Sequence, residues 1–87
     1  MKMIIVIVKD SDAEQVTQAL TSSDFRVTRI ASTGGFLRSG VVTLLVGLDD
    51  ERVEAGIQVI REQLGESTSE ESRATLFVVP VQRFEQV

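Results

Sequence analysis

The chain has no Cys, no His, no Trp and no Tyr, and only one Pro. Each absence closes off a kind of chemistry. Without Cys there is no disulfide and no thiolate metal site. With His missing too, the commonest zinc, copper and iron ligand sets are gone. So are the commonest general base and any Ser-His-Asp arrangement. Carboxylate chemistry and Mg²⁺ binding stay open. A long hydrophobic run is also lacking: Met3 to Val8 is far too short to span a bilayer, and MKMIIVIVKD carries no cleavage-site pattern. No membrane partner is expected, and the absent export signal points to the cytoplasm. The formal net charge of −4 argues against DNA or RNA as a partner, since non-specific nucleic-acid binding needs a cationic footprint.

What is present is ordinary for a folded protein: 43% hydrophobic and 25% charged residues in 87 positions, which makes one domain over 1–87. A chain this short has a marginal core when it stands alone. With disulfides excluded, oligomerisation is the remaining remedy.

Met3 to Val8 is an unbroken, β-branched apolar run and predicts a strand buried on both faces. Ser11 and Glu14 have the spacing of a capping box, so a helix is expected to open there and end near Ser22. Phe25 to Ser32 predicts a second strand, with Phe25, Val27 and Ala31 on one face and Arg26, Thr28 and Ile30 on the other. The stretch Ser32 to Gly40 holds three Gly and predicts a loop. Val41 to Leu48 is a third strand, again apolar on both sides. Asp49 or Asp50 is expected to cap a helix whose stripe is Val53, Gly56, Ile57, Ile60 and Leu64, with Gly65 closing it. Glu66 to Ser72 predicts an exposed loop. Ala74 to Val81 is a fourth strand, at an edge because Pro80 has no N–H for a ladder.

The order β-α-β-β-α-β predicts an α+β, ferredoxin-like fold: a four-stranded antiparallel sheet with two helices on one face. Its central strands are the first and third, the two that read as apolar on both sides. Two helices cover only one face. Met3, Ile5 and Ile7 point one way and Ile4, Val6 and Val8 the other, so one set is left without cover. Burying three such aliphatics is worth about 5–9 kcal/mol, comparable to the stability of a small domain. A closed symmetric oligomer is therefore expected.

Four groups could carry a site. Arg26 and Thr28 share a strand face, and together offer a guanidinium fork and a hydroxyl suited to phosphate. On spacing alone, a solvated strand face is the plainer reading. Thr33 to Arg38 pairs two Gly, whose amides can turn toward an anion, with Phe36 for stacking and Arg38 for charge. A simple loop with Phe36 tucked into the core is the plainer alternative. The acids Asp49, Asp50, Glu51 and Glu54 could hold a divalent cation, but helix-start acids ordinarily serve the cap and the dipole. Glu66, Glu70 and Glu71 with their serines read as a solvated loop.

The segments MKMIIVIVKD, FRVTRIASTGGFLRSG, VGLDDERVE and ATLFVVPVQRF resemble the cyclic-di-AMP receptor family of PII-like proteins, along nearly the whole chain. TGGFLR with its preceding Arg and Thr is the distinctive part. The resemblance implies a PII-like homotrimer that binds the nucleotide in clefts between subunits, uses no cofactor, is no enzyme, and signals to an unidentified downstream protein. It implies that Arg26 and Thr28 contact phosphate or base and that Gly35, Phe36 and Leu37 line an adenine pocket. Gly47 would permit close backbone approach, and Phe77 and Gln86 would come from the last strand and tail. The chain departs from the family pattern at Asp24 and Val41, where Asn is usual, and in a much shorter loop over Gly65 to Arg73. Two other readings stand beside it: a PII-like interaction module whose ligand is lost or changed, for instance to another adenine nucleotide, and a small oligomeric enzyme on the same fold.

Overall fold

The computed structural model describes residues 1–30, 40–65 and 73–87. The elements follow in the order β1 (Lys2–Lys9), α1 (Asp10–Ser22), β2 (Arg26–Ile30), β3 (Val41–Leu48), a 3-10 turn (Asp50–Arg52), α2 (Val53–Leu64) and β4 (Ala74–Pro80). The four strands form one antiparallel sheet in the order β2-β3-β1-β4. This is the ferredoxin-like α+β arrangement, with β1 and β3 central. Pro80 sits on the edge strand β4, where its missing N–H breaks no inner ladder.

The alternation along β1 and β3 decides the core. Ile4, Val6, Val8, Leu44 and Val46 are essentially inaccessible, and Val42 and Leu48 nearly so. They pack against Ala13, Val16 and Leu20 of α1 and Ile60 and Leu64 of α2. Gly56 brings α2 close to the sheet. A Cβ there would stand 3.3 Å from the Cδ1 atoms of both Ile4 and Leu48. The opposite set, Met3, Ile5, Ile7 and Leu45, is half-buried rather than bare, because sheet neighbours shield each side chain laterally. No described helix is long and apolar enough to cross a membrane.

Two caps differ from expectation. α1 begins at Asp10, after Lys9, with no side-chain cap, so Ser11 lies within the first turn and the Ser11–Glu14 capping box does not form. The helix starts ahead of the motif, and the Asp10 amide there donates to the Gly40 carbonyl at 2.7 Å. Likewise neither Asp49 nor Asp50 makes a side-chain cap. Asp49 precedes the 3-10 turn, and Asp50 instead faces the Met1 amino group at 3.0 Å. Gly65 does close α2, with φ 71 and its amide on the Arg61 carbonyl. Arg29 ties β2 to α1 through Asp10 and Glu14, at 3.2 and 3.6 Å.

Candidate functional site

The open face of the sheet is laid out by register. Arg26 of β2 lies opposite Gly47 of β3, which lies opposite Met3 of β1. One step along, Thr28, Leu45, Ile5 and Phe77 form a row across all four strands. The period of two puts Arg26 and Thr28 on this face together, while Phe25 turns inward and is buried.

At the end of this face is a cleft of about 500 Å³, a size suited to a small ligand. Arg26, Thr28, Leu45, Gly47 and Met3 form its sheet wall. Asp24, Asp49 and Arg52 come from the turns before β2 and after β3, and Phe84 and Gln86 from the C-terminal tail. The tail reaches it because the Val81 amide donates to the Met1 carbonyl at 3.0 Å, extending the β1–β4 pairing past Pro80. A Cβ on Gly47 would meet only the flexible Met1 Cε, at 3.4 Å. The glycine therefore leaves the backbone of β3 accessible in the cleft wall.

The cleft carries two cations, Arg26 and Arg52, and two carboxylates, Asp24 and Asp49. Among the described residues Arg26 has neither an ion pair nor a side-chain hydrogen bond, so its fork is available to an anion. Asp24 occupies the left-handed backbone region at φ 66, where Asn and Asp are the best tolerated side-chain residues. Just outside, the Met1 ammonium and then Lys2 hold the Asp50 carboxyl below its ordinary value. No group of three or more metal-ligating side chains occurs among the described residues.

Of the residues singled out in the sequence, the structure brings Arg26, Thr28, Gly47 and Gln86 into one cleft. Phe77 is not there. It lies on the same face but on β4, at the opposite sheet edge from β2, about 14 Å away at three strand spacings. It is 52% exposed. Gly35, Phe36 and Leu37, with Arg38, lie outside the described residues. Val41 pairs with Lys9 at the start of β3 and does not line the cleft. Sequence reasoning missed Met3, Leu45, Arg52 and Phe84 as lining residues, and offered Asp49 only as a helix cap or part of a cation site. Phe84 had a signal, a large aromatic in a polar tail. Arg52 had none, since its contacts are 28 and 29 residues away along the chain.

Residues 1–73 match the family model described as cyclic-di-AMP receptor. The chain belongs to the cyclic-di-AMP receptor family. The matched span holds Arg26, Thr28, Gly47 and Arg52, and stops short of β4 and the tail that brings in Phe84 and Gln86. A crystal structure of a functionally unknown protein from Pediococcus pentosaceus ATCC 25745 is similar to this receptor-family chain nearly end to end. It is 32% identical, with a TM-score of 0.79, and the match covers 99% of this chain and 96% of that one. The family is one of cyclic-di-AMP receptors, and the cleft of this member is lined by Arg26, which has no side-chain partner among the described residues.

Proposed function

We propose that this receptor-family chain is a cytoplasmic, non-catalytic sensor that binds cyclic-di-AMP in clefts between the subunits of a PII-like homotrimer. The observation that carries the reading is continuity. The cleft holding Arg26, Thr28 and Gly47 opens on the same sheet face whose apolar row, Leu45, Ile5 and Phe77, no helix covers. A second copy packed on that row would both bury it and wall the cleft. Phe77 does not line the cleft of its own chain, so a neighbour's sheet edge is a way for it to approach a shared ligand. Arg26 supplies a fork for a phosphodiester and Thr28 a hydroxyl. Gly35, Phe36 and Leu37 complete the adenine pocket in this reading, and Gln86 closes it from the tail. The nucleotide serves as a signal read by a downstream protein, and no cofactor takes part.

One observation favours a second reading. Asp24 puts a carboxylate into the cleft, and a carboxylate close to a phosphodiester dianion is repulsive. The alternative is a PII-like interaction module whose ligand is lost or changed, for instance to another adenine nucleotide. Calorimetric titration of the parent protein with cyclic-di-AMP, ATP, ADP and cyclic-di-GMP separates the two. Binding of cyclic-di-AMP in the micromolar range or tighter, lost in Arg26→Ala, is expected. Silence at millimolar cyclic-di-AMP overturns the first reading, and a response to ATP or ADP alone supports the second.

A further inference from the structure

The two arginines of the cleft are in opposite circumstances. Arg26 has no side-chain partner among the described residues, whereas the guanidinium of Arg52 is committed on three sides. Its Nη2 donates to the Ser23 carbonyl at 2.9 Å and its Nη1 to the Asp24 carbonyl at 3.2 Å. Its Cζ stands 4.0 Å from the centroid of the Phe25 ring. One side chain at the start of α2 thus grips three consecutive residues of the α1–β2 turn.

That turn needs holding. Asp24 sits at φ 66, a conformation disfavoured for residues with a side chain. The amides of Ser23, Asp24 and Phe25 are satisfied by the last turn of α1, through the carbonyls of Ala19, Leu20 and Thr21. The Ser23 and Asp24 carbonyls are taken by Arg52. Arg26, the next residue after Phe25, begins β2 and lines the cleft. Any rotation of the turn therefore moves both Asp24 and Arg26 relative to the cleft.

We propose that Arg52 is a positioning residue: its fork sets the Ser23–Phe25 turn and with it the placement of Asp24 and Arg26 for the anion. Each terminal nitrogen spends one N–H on a turn carbonyl and one face of the plane is stacked on Phe25, so the end of the guanidinium that faces the turn is committed to the turn. Lys cannot substitute, because an ammonium is a point charge without a planar fork. The part of the inference that concerns affinity rests on the nucleotide reading given under Proposed function.

The test compares Arg52→Lys and Arg52→Gln in the full chain, after thermal unfolding has shown which of them fold. Amide spectra of the ligand-free proteins come first. Both variants are expected to shift the Ser23–Arg26 amides more than those of Leu44–Val46 in the central strand. Both are then expected to bind cyclic-di-AMP about tenfold more weakly or worse, with Lys no better than Gln. A phosphate-binding arginine behaves differently: Lys keeps most of the affinity and Gln loses it. That pattern overturns the proposal, and so do turn amides in Arg52→Lys that stay where the parent has them. If the parent itself binds no cyclic-di-AMP, the nucleotide reading fails, while the ligand-free spectra still decide the role of Arg52. If only Arg52→Lys folds, its turn amides alone decide between the two roles.

Discussion

Leu44 and Leu45 are neighbours on one strand, and the sheet sends them to opposite surroundings. Leu44 belongs to the core cluster under the helices and has no accessible surface; Leu45 faces the cleft side and keeps part of its surface in solvent. The same split runs along β1, where Ile4, Val6 and Val8 are sealed and Met3, Ile5 and Ile7 are half-covered. Both sets are equally aliphatic. On the proposed reading, composition reflects what each face buries in the assembly, whereas exposure in one chain reflects only what that chain supplies, and the difference measures the surface a second copy would cover.

A matched pair of truncations turns that difference into numbers. Leu44→Ala opens a cavity in the sealed core and is expected to cost about 2–5 kcal/mol in chemical unfolding. Leu45→Ala in a lone chain removes a half-buried side chain and is expected to cost about 1–2 kcal/mol. Assembly should narrow the gap. Where copies associate, Leu45 becomes interior and its truncation should approach the cost of Leu44→Ala, with a dependence on protein concentration. Equal, concentration-independent costs for the two would show that the faces do not differ in this way.

Placing a charge on the open face is the sharper challenge. Ile5 is flanked by Leu45 and Phe77 in register, at the centre of the uncovered row. Ile5→Lys should leave the helical and strand content intact, because the core lies on the other side of β1. It should cost an interface about 2 kcal/mol or more, as hot-spot losses do. Light scattering is expected to find a trimer for the parent and single chains for the variant, and cyclic-di-AMP binding should fall with the mass. A parent that is monomeric at micromolar concentration would leave the cleft with one wall and remove the support for a shared site.

How far the sequence discloses these features depends on their range. The strands, their central and edge positions and the α2 stripe are carried by local periodicity and by Pro80, and they are legible. Arg26 with Thr28 is legible for the same reason, as a period of two on a strand. The Ser11–Glu14 cap misleads because the helix starts earlier, at Asp10, whose amide donates to the Gly40 carbonyl at the entry to β3, and Ser11 is already inside the first turn. Met3 and Leu45 enter the cleft only through inter-strand register, which pattern alone does not give. Arg52 is the extreme case. In the sequence it is one cation behind three acids, and only the packing of α2 beside the α1–β2 turn makes it a clamp.

The smallest expected effect tests whether the covered side is as complete as its apolar residues suggest. Thr17 of α1 has a buried Oγ1 with no hydrogen-bond partner among the described residues. A hydroxyl removed from water without a partner carries a desolvation penalty that a methyl of the same shape does not. Thr17→Val keeps the β-branch, and with it much of the side-chain shape and rotamer restriction in a helix. The substitution should therefore leave stability unchanged or raise it by up to about 1 kcal/mol, read as a small upward shift of the unfolding midpoint. Loss of a kilocalorie instead would mean that the hydroxyl is satisfied after all, by an ordered water at the helix surface. In that case the dry boundary of the covered face lies deeper than Thr17, and the contrast between the two faces is narrower than the side chains of β1 and β3 alone imply.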